Sequence, residues 1–266
     1  LHSTSPYTIE GITRIDHTLR VPIDWNTPGG AQTTVFAREV FAAGKNREQL
    51  PLLLFLQGGP GGVSPRPRRL TGWIGEALKQ YRVLLLDQRG VARSDQIDLG
   101  ALWETNPETL ATRLTHYRAD SIIKDAEALR VAIGGEDARF TLLGQSYGGF
   151  LSLKYVSDYP EAIERSLITG GVPSLERPAE DVYRETFRLL GRSVRKFLTR
   201  FPRAKAQYEK LEQLVTQNDV RLLDGRQFTL DQLRFIGFQL GSDDGDFAVA
   251  ELLVTAFVGD TDALST

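Results

Sequence analysis

Ser146 stands in the stretch GQSYG, residues 144–148, which fits the pattern G-x-S-x-G. In this pattern the serine lies on a sharp strand-to-helix turn, so its hydroxyl can attack a carbonyl carbon. A β-rich run, FTLL at 140–143, precedes the serine and a helical pattern follows it. A helix N-terminus beneath the hydroxyl favours the negative charge that develops during attack. The stretch predicts that Ser146 is a nucleophile; a Gly-rich turn in which the serine only caps the helix is the alternative.

A second Gly-rich loop, within FLQGGPGG at 55–62, follows another apolar run. Acyl transfer needs two backbone N–H groups that donate to the oxyanion, one after the nucleophile and one in the loop of an earlier strand. The corresponding positions are Tyr147 and Gly59. Glycine suits the second position because a backbone without a side chain can approach the substrate closely. We therefore predict an oxyanion hole formed by Gly59 and Tyr147.

The composition of the 266 residues disfavours several other functions. The formal net charge is -2 and the pI is near 6.0, so there is no basic field for nucleic acid or for an anionic membrane. The absence of cysteine removes a thiolate nucleophile and a Cys-ligated zinc site. No apolar run approaches the roughly 18 residues of a membrane span. We expect a cytoplasmic protein whose site uses neither a metal nor a cofactor.

Alternating strands and helices must position these loops. Two continuous apolar runs, at 51–56 and 82–86, are typical of strands buried on both faces of a mostly parallel sheet, with functional loops at their carboxyl ends. Segments with helical spacing, at 72–80 and 121–133, separate these runs from each other and from the strand at 140–143. This order predicts an α/β fold.

The two ends of the sequence depart from this alternation. Segments 7–24 and 33–42 have β character with the turn NTPGG between them, which predicts an antiparallel entry to the sheet. From about residue 174 onward the pattern is helical, with loops that contain Gly and Pro. We therefore expect a largely helical segment to follow the last sheet strand.

Four motifs in order carry a resemblance to a known family. They are LFLQGGPGG (54–62), LLLDQRGVARSD (84–95), YRADSIIKDAEALR (117–130) and GQSYGGF (144–150). Together they closely resemble the proline iminopeptidase, or prolyl aminopeptidase, family of α/β-hydrolases. That family usually has His where Gln57 stands; the substitution leaves the backbone of the oxyanion loop intact but weakens any transfer of the side chain's role.

The resemblance implies an α/β-hydrolase fold with an inserted helical cap domain. Residues 1–173 would form the N-terminal part of the hydrolase core and residues 174–266 the cap, with the C-terminal core strands outside these 266 residues. By the same resemblance Ser146 would be the nucleophile, and Gly59 and Tyr147 the oxyanion donors.

The implied activity is release of an N-terminal residue, proline in this family, from short peptides with a free N-terminus through an acyl-enzyme. A small-ester or amide hydrolase on the same fold and a non-catalytic hydrolase-like binding protein are the alternatives. Recognition of a free amino group calls for carboxylates. Glutamates of the helical segment are available, although charged positions on such helices are usually solvated: Glu176, Glu180, Glu185 and Glu251.

Asp87 and Arg89, in the DQRG loop, could be mistaken for catalytic residues. An Asp and an Arg so close in a loop more often form a structural ion pair, and we predict that role here. The resemblance also implies that the DQRG segment is a structural loop beside the site.

The histidines of the sequence do not complete a triad with Ser146. In α/β-hydrolases the order is Ser, then Asp or Glu, then His, whereas His2, His17 and His116 all precede Ser146. Asp260 and Asp262 follow the serine, but no buried strand precedes them, so we expect a solvated loop there. Completing the sheet would take on the order of another hundred residues, at about 30 per strand-helix unit. We expect the triad acid and histidine beyond Thr266 or on another chain.

Overall fold

A computed structural model describes residues 1–97, 106–174, 176–222 and 224–257. The chain divides into two compact units, Leu1–Pro173 and Ser174–Thr266, which are described separately.

The first unit is built on one mixed β-sheet. Its strands are β1 (His2–Ser3), β2 (Tyr7–Ile9), β3 (Ile12–Pro22), β4 (Gln32–Ala42), β5 (Leu52–Leu56), β6 (Arg82–Asp87), β7 (Phe140–Gln145) and β8 (Ile163–Thr169). The strand order is β1-β3-β4-β6-β5-β7-β8, with β2 also paired to β3. Strands β5 to β8 run parallel to one another, and the N-terminal strands join them antiparallel, as the sequence predicts.

Helices cover the sheet of the first unit. In the described part of this unit the α-helices are α1 (Gly72–Ala77), α2 (Pro107–Thr115), α3 (Ala119–Gly134) and α4 (Tyr147–Asp158). The apolar run of β5 is buried along its whole length and divides between the two faces: Leu54 and Leu56 belong to the core that includes α3 and α4. Leu53 and Phe55 belong to the core that includes α1. A strand buried on both faces has to be continuously apolar, which is why the run at 51–56 does not alternate.

The register of β5 against β7 brings the two Gly-rich loops together. Leu56 pairs with Gly144, so the residues that follow each strand leave the same edge of the sheet side by side. The carboxyl ends of neighbouring parallel strands lie at the same edge of a sheet. Gln57 and Gly58 therefore lie next to Gln145 and Ser146.

Strand β8 differs from β5, β6 and β7 in burial. It pairs with β7, and within the described ranges no strand pairs with its other edge. Each of its residues is half-buried or exposed, and Leu167 is 44% exposed. The sheet is thus well covered at its centre and open along β8.

The second unit consists of helices around a core of its own. They are α5 (Ala179–Arg200), α6 (Ala204–Gln217), α7 (Leu230–Phe235) and α8 (Gly245–Phe257). Its core includes Phe197, Leu211, Leu233 and Leu253, one from each helix. No helix within the described parts of the chain combines the length and the apolar character needed to cross a bilayer.

Candidate active site

Ser146 occupies a strained turn between β7 and α4. Its backbone has φ 55° and ψ -120°, a combination that costs energy in a residue with a side chain and persists only when its surroundings impose it. Two backbone bonds fix the turn: Ser146 N donates to Thr169 O at 3.2 Å, and Gly149 N donates to Ser146 O at 2.7 Å. Although Ser146 stands at the N-cap position of α4, its side chain makes no capping bond. The capping alternative is therefore wrong.

Two glycines allow neighbouring backbone to pack against this turn. A Cβ at Gly148 would collide with the carbonyl oxygen of Leu56, at the end of β5. A Cβ at Gly171 would collide with the carbonyl oxygen of Ser146 itself. Because neither collision involves a flexible side chain, larger residues at these positions would displace the turn. Close backbone approach thus requires glycine at both of these positions.

The loop after β5 lies against the serine and is held by glutamine side chains. A Cβ at Gly58 would lie 2.9 Å from Ser146 Cβ. Gln57 Nε2 donates to Val63 O at 3.0 Å, and Gly58 N donates to Gln57 Oε1 at 2.9 Å. Gln88, which is buried, donates from Nε2 to Gln57 O at 2.8 Å. The Gln57 side chain therefore spans the loop from its start to its end.

A surface cavity of about 440 Å³ lies beside the turn. Its lining comprises Gly59, Tyr147, Phe150, Gly171, Val172 and Pro173. The rings of Tyr147 and Phe150 stack with centroids 5.8 Å apart. Burial, with a contribution from the charge of Asp120, raises the pKa of the Tyr147 hydroxyl, so that group stays neutral. The two positions predicted to supply oxyanion donors thus border one cavity next to Ser146; their role stays a prediction.

The histidines of the chain serve other parts of the fold. His17 is 2% exposed on β3, where its Nε2 lies 3.0 Å from Glu39 Oε2. Four strand spacings separate β3 from β7, which is roughly 19 Å at the usual inter-strand distance. His116 Nδ1 is 3.9 Å from Asp24, and His2 is exposed on β1. Within the described residues, no side chain hydrogen-bonds the Ser146 hydroxyl, and Asp260 and Asp262 lie outside those residues.

Asp87 and Arg89 are both structural, but they do not pair with each other. Arg89 is fully buried and makes a bidentate bond to Asp125, with distances of 2.7 and 2.5 Å. Asp87 instead accepts from the Arg66 guanidinium and, at 3.3 Å, from Ser64 N. The predicted ion pair is therefore wrong in its partners: the two side chains diverge because Asp87 ends β6 while Arg89 lies beyond it and bonds α3.

The glutamates considered for amino-group binding are exposed, and Glu185 bonds Arg188 within its own helix at 2.7 Å. Among the described residues no group of three His, Asp or Glu side chains is arranged to hold a metal ion.

Comparison with known proteins gives consistent matches. Residues 51–226 match the family model described as alpha/beta hydrolase fold. A proline iminopeptidase from Aeromonas sobria is 41% identical over 255 residues, covering 96% of this chain and 60% of that protein. Another, from Aspergillus aculeatus, is 29% identical over 233 residues, covering 85% of this chain and 51% of that protein. A tripeptidyl aminopeptidase from Streptomyces lividans is 25% identical over 195 residues, covering 60% and 35% respectively. The chain thus spans at most three fifths of these relatives.

Proposed function

This chain belongs to the proline iminopeptidase family of α/β-hydrolases, and from that membership we propose that it is part of a serine aminopeptidase that releases an N-terminal residue, with preference for proline, from short peptides. The relatives' names support the peptide substrate. We also propose that the substrate has a free N-terminus and that the protein is cytoplasmic.

The backbone of Ser146 is the observation that supports this proposal most directly. A serine at φ 55° between a buried strand and a helix, with its side chain left out of helix capping, fits the nucleophile turn of an acyl-transfer enzyme. Strain of this kind is found where function requires it.

The proposed reaction begins when Ser146 Oγ attacks the carbonyl carbon of the N-terminal residue and loses its proton to a general base. The carbonyl oxygen takes the negative charge and accepts hydrogen bonds from the N–H groups of Gly59 and Tyr147. When this tetrahedral intermediate collapses, the C–N bond of the substrate's first peptide bond breaks, and the leaving amine takes the proton from the base. The released residue remains as an ester on Ser146 until water, deprotonated by the same base, attacks that ester.

A histidine from outside these 266 residues, or from another chain, is proposed as the general base. None of His2, His17 and His116 contacts Ser146, and a serine hydroxyl is a poor nucleophile without a base. We expect a structure of the full-length protein to have a His ring nitrogen within about 2.6–3.2 Å of Ser146 Oγ, and a carboxylate on its other nitrogen. Finding His17 or His116 beside Ser146, or no histidine there, would refute the assignment.

The helical unit, Ser174–Thr266, is proposed to act as a cap that excludes long chains and supplies the carboxylates for the substrate's amino group. The tripeptidyl aminopeptidase relative makes a longer released unit the alternative specificity. Hydrolysis of small esters or amides and binding without catalysis are the broader alternatives.

A substrate panel separates these possibilities. The full-length protein is assayed with the naphthylamides of proline, of alanine and of a tripeptide, and with a simple acyl ester. We expect the prolyl naphthylamide to give the largest kcat/KM. A preference for the tripeptide or the ester would reassign the specificity, and no turnover of any of the four would favour a binding protein.

A further inference from the structure

A second serine of the chain contacts a histidine. Ser3, on β1, faces His17 of the neighbouring strand β3, and Ser3 Oγ lies 2.8 Å from His17 Nδ1. The other ring nitrogen, Nε2, lies 3.0 Å from Glu39 Oε2 on β4. Hydroxyl, imidazole and carboxylate thus form one hydrogen-bonded chain, which the Ser146 site does not use.

Glu39 is held in its ionised form. Its carboxylate is fully buried and accepts from Arg47 at 2.8 and 2.9 Å and from Arg82 at 3.3 Å. Burial opposes ionisation, but the bonds from His17 and Arg47 outweigh it and bring the pKa of Glu39 down to about 2. An ionised carboxylate only accepts hydrogen bonds, so His17 Nε2 must carry a proton. In the neutral ring Nδ1 then carries no proton, and its lone pair can accept a hydrogen bond from the Ser3 hydroxyl.

Ser3 is exposed to solvent while its base is protected. Among the described residues no strand pairs with the other edge of β1, whereas His17 is 2% exposed. Compared with the serine protease triad the ring is reversed, because Nδ1 rather than Nε2 faces the serine. Either nitrogen can accept a proton when the other is held by a carboxylate.

We propose that Ser3 is a second activated nucleophile, with His17 as its base and Glu39 as the residue that positions His17, and that it takes up acyl groups from activated esters. In this step a bond forms between Ser3 Oγ and the acyl carbon, and the ester C–O bond breaks. The hydroxyl proton passes to His17 Nδ1 and then to the leaving alkoxide. The proposal is independent of the peptidase function.

An alkyl fluorophosphonate tests this reactivity without interference from amines. Ser3 Oγ would form a bond to phosphorus, the P–F bond would break, and fluoride would leave as the proton moves to His17. We use the Ser146→Ala protein, so that the first site cannot react, and map the label by peptide mass spectrometry. Since a general base contributes about 10²–10⁴-fold, we expect Ser3 to react at least about 100-fold faster than Ser5, an exposed serine nearby.

Three controls connect the label to the geometry. Adding Ser3→Ala should remove the fast label, whereas adding Ser5→Ala should leave it unchanged. Adding His17→Gln should slow labelling of Ser3 by about 100-fold, in protein shown by circular dichroism to be folded. Because a change at buried His17 can unfold the sheet, urea-denatured Ser146→Ala protein provides a second measure and should lose the rate advantage of Ser3. Equal rates at Ser3 and Ser5, or unchanged labelling in folded His17→Gln or in urea, would overturn the proposal.

Discussion

Ser146 and Ser3 differ in what surrounds their hydroxyl groups. Ser146 has a strained backbone and a glycine loop with Gly59 beside it, but no base among the described residues. Ser3 has extended strand backbone with a histidine at 2.8 Å and a buried carboxylate behind that histidine. One serine has a strained strand-to-helix turn of the kind that presents the nucleophile in α/β-hydrolases, and the other has a proton acceptor.

The difference follows from how each feature is encoded. The turn of Ser146 is marked by two glycines within two positions of it, Gly144 and Gly148, although the backbone that packs against the turn comes from Leu56 and Gly171. The chain from Ser3 through His17 to Glu39 depends on the register of three antiparallel strands. A local motif therefore marks the first region, while only the folded sheet brings the second together.

Ser146→Ala is the change with the largest expected effect. If Ser146 is the nucleophile, turnover of prolyl naphthylamide should fall by several orders of magnitude, since removing a triad member leaves only residual catalysis. The substitution removes one oxygen, so the thermal unfolding temperature should stay close to that of the parent. Retained peptidase activity in the folded variant would assign catalysis to another residue and remove the contrast with Ser3.

Gly59→Val tests the loop that distinguishes the Ser146 region. Gly59 has φ 122°, and a Cβ there would lie 2.7 Å from the N atoms of Gly61 and Gly62, so valine must shift the loop. We expect kcat to fall by about 10²–10³-fold with a smaller change in KM. Gly61→Val is the matched control, because Gly61 has a similar φ of 89° but open space at its Cβ. If only KM changes, Gly59 lines the substrate pocket instead.

Much of the first unit could be predicted because its signals are local. Continuous apolar runs predicted β5 and β6, and 140–143 lies within β7 (Phe140–Gln145). Helix α2 was missed, although Asn106 caps it and Pro107 begins it, a sequence signal typical of a helix start. The helix predicted at 72–80 ends at Ala77. The last residue of a helix is hard to predict because helix ends fray and the final turn is often a 3₁₀ turn.

Long-range partners could not be predicted in this way. Spacing suggested that Asp87 bonds Arg89, two residues away, but Arg89 bonds Asp125, 36 positions along the chain. The ion-pair partner of each side chain depends on which helix covers which strand end, and a single sequence does not reveal that geometry. The pairing of Ser3 with His17 is missed for the same reason, since it depends on strand register.

Glu39→Gln tests the electrostatics that distinguish the Ser3 region. Burial opposes ionisation, but His17 and Arg47 bring the pKa of Glu39 from 4.5 to about 2, so the folded state favours the ionised form. That stabilisation is complete above about pH 4.5 and is lost as the pH falls through 2. From pH 6 to pH 3 the parent should lose about 2 kcal/mol of unfolding free energy that the variant does not lose. Urea titrations at both pH values measure this difference.

Glu48→Gln is the control for that experiment. Glu48 bonds the same Arg47, at 2.5 Å, from the exposed side. Its replacement should leave the loss between pH 6 and pH 3 close to that of the parent. If Glu39→Gln also loses stability in parallel with the parent, Glu39 is not the group that titrates, and the carboxylate behind His17 would need another explanation.

Gln57→Ala has the smallest expected effect and asks whether a side chain supports the loop of the Ser146 region. Gln57 bonds Val63 O and Gly58 N at opposite ends of the loop, so its loss should loosen Gly59 without removing any backbone donor. A donor that is present but less well fixed should lower kcat by about tenfold, or about 1.4 kcal/mol, and leave KM nearly unchanged. Gln80→Ala, at an exposed glutamine with no side-chain bond in the described residues, should leave both constants unchanged. An unchanged kcat in Gln57→Ala would mean that strand ends and glycines fix the loop by themselves; a change in KM alone would place Gln57 in substrate binding.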